Sequence, residues 1–149
     1  MSQKKESIQI QRRKIAEGVP AAWVRRVIHT TITAEKSKKR FVSVLLTNNK
    51  EIRTINQKFL KHDYATDVIS FEAGSGYLAG KEADYLGDVV VSVDMAQSVA
   101  QDLGVPWREE LARYLVHGTL HLLGYDDHAP KDREKMSDRQ EEIVGKIFR

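Results

Sequence analysis

Two histidines four residues apart, His117 and His121, sit in a segment of helical apolar spacing that Gly124 must end. Tyr125-Asp126-Asp127-His128 follows at once. On a helix, positions i and i+4 share one face, about 6 Å apart at Cβ, so two imidazoles can converge on one ion. A donor from the loop beyond Gly124 supplies a third bond and leaves one position open to water. That layout belongs to catalytic zinc sites; structural sites close all four positions. The chain has no cysteine, so a metal must be held by nitrogen and oxygen, and neither a disulfide nor a thiol nucleophile is available.

The histidine helix is expected to begin at Pro106 and to carry Leu111, Leu115 and Leu122 into the core. Upstream, residues 7–11 alternate polar and apolar as a strand does. Pro20 opens a helix to about Thr30, with Trp23, Val27 and Ile28 on one face. Residues 41–46 read as a strand, and Thr47-Asn48-Asn49 cap a helix from Glu51 to about Leu60, buried through Ile52, Ile55 and Phe59. Residues 66–71 and 85–93 are further strands, separated by a flexible connection at 74–80. Asp94 is expected to cap a short helix to about Asp102. The last helix starts near Pro130, with Met136, Ile143, Val144, Ile147 and Phe148 as its apolar stripe. Strands come early and helices late, with one βαβ-like passage. The 149 residues are therefore expected to form a single α+β domain, a small mixed sheet covered by helices.

Hydrophobic residues make up 41% of the chain and charged residues 30%, ordinary for a globular protein. No apolar run approaches a membrane span, and the first residues lack a signal-peptide stretch, so a cytoplasmic protein is expected. The net charge is only +3, but Arg12-Arg13-Lys14, Arg25-Arg26 and 36–40 concentrate basic residues in the first third. Singly these read as solvated surface; together they suit a polyanion such as RNA.

Gly118 stands where zinc peptidases of the His-Glu-x-x-His type carry their general base, which counts against peptide hydrolysis. A helix-interior glycine costs about 1 kcal/mol relative to alanine. It implies either close helix packing or an approach to the metal from that side.

His117-Gly118-x-Leu120-His121-Leu122-x-Gly124-Tyr125-Asp126 closely resembles the signature of the bacterial YbeY family, single-domain zinc-dependent endoribonucleases or rRNA maturation factors. Ile55-Asn56, Asp63, Thr66-Asp67-Val68-Ile69-Ser70-Phe71 and Leu86-Gly87-Asp88-Val89 resemble the family's upstream segments, in family order. The resemblance implies a third zinc ligand six residues after the second. That register holds Asp127, with His128 one later as the alternative, and carboxylate oxygen is an accepted zinc ligand. It also implies an arginine at position 60 that serves RNA cleavage; this chain has Leu60, which cannot donate hydrogen bonds to phosphate.

The expected function is thus a single-strand-specific, zinc-dependent endoribonuclease acting in small-subunit rRNA 3′-end maturation and ribosome quality control. Its partners would be rRNA, ribosomal particles and a ribosomal protein, with no membrane. Zinc held by two imidazoles and a carboxylate would lower the pKa of its water towards about 7 and so supply a nucleophile for a phosphodiester. Lys58 and Lys61 are the catalytic candidates for stabilising phosphoryl charge, with Arg53 and His62 behind them. Asp67 and Asp88 are read as ligand-orienting groups, bases or caps. The alternatives are a non-catalytic zinc-containing maturation factor and, more weakly, a metallopeptidase.

Overall fold

The computed structural model describes residues 7–74 and 84–149. Four strands form one mixed sheet: β1 (Ser7–Arg12), β2 (Phe41–Thr47), β3 (Val68–Glu72) and β4 (Tyr85–Ser92), ordered β1-β2-β4-β3. β1 and β4 both run parallel to β2, while β3 closes the other edge antiparallel to β4. β4 is buried on both faces, which is why it reads as a nearly continuous apolar run, Val89-Val90-Val91.

Five helices follow among the described residues: α1 (Ala21–Ala34), α2 (Asn49–Leu60), α3 (Val93–Leu103), α4 (Trp107–Leu122) and α5 (Pro130–Phe148). α2 lies on one face of the sheet over a small cluster of Leu45, Ile52, Ile55, Ile69, Phe71 and Val90. The main core fills the other face, where α1 and α4 pack and α5 covers both. The single α+β domain with a small mixed sheet agrees with the sequence expectation.

α4 is the centre of this assembly. Leu111, Leu115 and Leu120 are fully buried, and Leu122 is nearly so. The close-packing account of Gly118 is the one the fold supports. A Cβ there would lie 2.7 Å from Val89 Cγ1 and 2.9 Å from Val68 Cγ2, too close for either neighbour to tolerate unmoved. The Ser70 hydroxyl donates to the Gly118 carbonyl at 2.7 Å, pinning the same turn to β3. Gly118 faces the sheet, so it opens no approach to the histidines.

Several boundaries differ for local reasons. α1 runs four residues past Thr30, because the Thr30 and Thr31 hydroxyls bond back to the carbonyls of Arg26 and Val27 and Ile32 enters the core. α3 is capped by Ser92, whose hydroxyl accepts from the Met95 N–H; Asp94 instead receives the Asn49 N–H and the Ser92 hydroxyl. β3 begins at Val68, because the Asp67 carboxylate takes the Val68 N–H at 2.7 Å. The connection read at 74–80 lies, beyond Gly74, outside the described residues.

Candidate metal centre

The last turn of α4 presents His117 and His121 side by side, ring centroids 4.8 Å apart. Gly124, at φ +103, adopts the left-handed conformation that stops the helix and reverses the chain. The reversal brings the Asp127 carboxylate to the pair. Its Oδ2 lies 3.2 Å from His121 Nε2 and 3.7 Å from His117 Nε2. His128 goes elsewhere: its side chain is 89% exposed, and both its ring and its backbone N–H turn to the Asp126 carboxylate. That contact holds the Asp126 carboxyl below its ordinary value and the His128 imidazole above its own.

The far nitrogen of each ligand-facing histidine is also engaged. His121 Nδ1 meets the Tyr125 carbonyl at 3.1 Å. A carbonyl only accepts, so this nitrogen carries a proton, and in the neutral ring Nε2 is the atom with a lone pair to offer. His117 Nδ1 meets Gln140 Oε1 at 2.9 Å, while the Gln140 amide nitrogen donates to Glu141, fixing which end of the amide faces the ring. Both Nε2 atoms therefore face one carboxylate oxygen. With both rings neutral, the two nitrogens and the carboxylate make a set of three donors that a metal cation can bridge. Two ligands on a tetrahedral zinc, each at about 2.0–2.1 Å, would be about 3.4 Å apart, the scale of the spacing here. His117, His121 and Asp127 can thus hold a metal ion, with all their donor atoms within 4.8 Å of one another. An orienting acceptor behind each imidazole is the usual support of such sites.

The centre lies between two hollows. His121 borders an open cleft of about 580 Å³ whose other wall comes from the end of α2, the following loop and β3. His117 and Asp127 border a smaller one, of about 320 Å³, together with Arg133, Ser137 and Gln140. The Arg133 guanidinium donates to the His128 carbonyl at 3.3 Å and, among the described residues, makes no ion pair.

A family model described as Endoribonuclease YbeY matches residues 3–147. The chain belongs to the YbeY family. It is 38% identical to the endoribonuclease YbeY of Chlorobaculum parvum, over 87% of each chain. It is 32% identical to that of Salinibacter ruber, covering 96% of this chain and 93% of the relative. A Thermotoga maritima protein known from a solution structure shares the fold with a TM-score of 0.65 at 25% identity, over 95% of this chain and 89% of that one.

Set on this YbeY-family frame, the other sequence candidates fall in distinct places. Lys58 and Lys61 are exposed and do not border the cleft, because α2 turns Ile52, Ile55, Asn56 and Phe59 inward and leaves Lys58 outward. Arg53 is paired with Asp63 at 2.9 Å on the surface. His62 does border the cleft, as does Leu60, 42% exposed. Asp67 serves the start of β3. Asp88 is buried in β4 on the Val90 side of the sheet and accepts the Tyr85 hydroxyl; the histidines lie on the opposite face. Among the early basic residues, Arg13 pairs with Glu51, and Arg12, Arg25 and Arg26 donate to backbone carbonyls. Sequence reasoning missed Gln140, the Tyr125 carbonyl and Arg133.

Proposed function

We propose that this chain is a zinc-dependent endoribonuclease, holding one ion through His117, His121 and Asp127. We further propose that it cuts single-stranded rRNA precursor at the small-subunit 3′ end, in the cytoplasm and in company with ribosomal particles, as a step of ribosome maturation and quality control. The observation that carries the reading is the convergence of two imidazole lone pairs and one carboxylate beside an open cleft. The names of the relatives supply the substrate class.

When bound, the ion supplies a Lewis acid that activates water and offsets negative charge on a phosphodiester. The chain's own groups prepare for it. Gln140 and the Tyr125 carbonyl keep both Nδ1 atoms protonated, so both Nε2 atoms stay free to ligate. The Arg133 guanidinium lines the same hollow as His117 and Asp127 and supplies a positive charge for a phosphate there. No described helix is long and apolar enough to cross a membrane.

The test combines metal analysis of purified alanine variants with a cleavage assay on rRNA precursor. Loss of metal and cleavage is expected for His117→Ala, His121→Ala and Asp127→Ala, with both retained in His128→Ala. Metal kept in Asp127→Ala but lost in His128→Ala would reassign the third ligand. Cleavage that survives both histidine variants would come from another site. Leu60 on the cleft wall, with no donor to offer, favours a second reading. A zinc-loaded wild type that binds ribosomal particles but cuts no precursor would establish a non-catalytic maturation factor.

A further inference from the structure

The far wall of the cleft carries a feature that phosphate chemistry does not use. Tyr64 is 55% exposed and borders the cleft, with the His62 ring against it at 5.4 Å between centroids and a tilt of 37°. Leu60 extends the same wall with exposed aliphatic surface. Exposing such groups is unfavourable in water, yet the fold holds them firmly in place.

The buried Asn56 side chain donates to the Tyr64 carbonyl at 3.0 Å, and the His62 N–H donates to the Asn56 carbonyl. Lys61 takes the left-handed conformation, φ 62°, that reverses the chain out of α2. Between the two rings, Asp63 turns outward to Arg53. The loop is therefore tied from both sides while its rings stay presented. Across the cleft stand His121 and the Asp126–His128 pair, so the platform and the metal centre share one open space.

We infer that Tyr64, backed by His62 and Leu60, is a stacking subsite for an unpaired nucleobase of the RNA, next to the nucleotide presented to the metal centre. The inference rests on the endoribonuclease reading and adds to it the feature of the substrate that is gripped. An aromatic face accepts any of the four bases, because each has a π-face, and only an unpaired strand can offer one. A wall of rings and aliphatic carbon in place of lysines binds the base and leaves the backbone charge to groups on the metal side.

The test compares wild type, Tyr64→Ala and Tyr64→Phe with chelator present, so that the RNA stays whole. Affinity is measured for a short unpaired oligoribonucleotide and for an equally long strand lacking its bases. Tyr64→Ala is expected to weaken binding of the normal strand on the order of tenfold or more. Tyr64→Phe should keep wild-type affinity, and the three proteins should bind the abasic strand alike. With metal restored, Tyr64→Ala should raise KM and leave kcat nearly unchanged. Equal affinity of Tyr64→Ala and wild type overturns the inference, as does an equal loss on the abasic strand, or a Tyr64→Phe loss matching that of alanine. A wild type that cuts RNA while Tyr64 proves indifferent removes the subsite alone; one that neither binds nor cuts RNA removes the nuclease reading with it.

Discussion

Gln140 decides which nitrogen of His117 faces Asp127, and it does so from a different helix. Its amide is itself held by Glu141, so the imidazole is met by an oxygen and not by a competing N–H. Replacing it by leucine keeps the bulk and removes the acceptor. Gln140→Leu should therefore lower metal affinity about 10–100-fold while barely moving the unfolding midpoint; competition with a chromophoric chelator measures the first and thermal melting the second. The residue was within reach of the sequence. Met136, Gln140, Ile143 and Ile147 share one stripe of α5, and a glutamine among buried apolar residues needs a partner. The histidine pair was legible outright, because helical spacing alone brings i and i+4 together. The choice between Asp127 and His128 rested on spacing matched to relatives. What turns His128 away is the Asp126 carboxylate taking its N–H and ring, a loop conformation no periodicity encodes.

At the scale of elements, α4 carries two duties on one rod. Its sheet side is seated against Val68, Val89 and Ser70, and its last turn holds the metal donors. Leu115 is fully buried in the main core. Leu115→Ala should cost about 2–5 kcal/mol in denaturant unfolding; a cost below about 1 kcal/mol would contradict the central place of α4. The helices were readable because their apolar stripes recur at 3.6 residues, and their proline starts and glycine stops are strong signals. The errors gathered where side chains compete with backbone. Ser92 took the capping role expected of Asp94, and back-bonding threonines carried α1 beyond its apparent end. Strand pairing was the least legible, since nothing local to 68–72 states that β3 runs antiparallel at the edge beside β4.

Over the whole molecule, charge ties distant parts of the chain together. The end of β1 is joined to α2 by Arg13 and Glu51 at 2.9 Å. The Arg13 hydrogen bond holds the Glu51 carboxyl below its ordinary 4.5, against the opposing effect of burial, with help from the Thr47 hydroxyl. A carboxyl lowered on folding stabilises above its unfolded pKa, and the benefit is lost as pH falls through the folded value. Glu51→Gln should thus be less stable than wild type at neutral pH, and the gap should close as pH falls through and below the ordinary carboxyl range in parallel denaturant titrations. The three metal donors, by contrast, lie between positions 117 and 127, in one helix turn and the loop that leaves it. Closing so short a loop costs little chain entropy. Gln140 can reach His117 only after α5 has docked. The grouping of the donors and the orientation of the His117 ring thus depend on different parts of the chain: the first on a single short stretch, the second on a helix that begins beyond it.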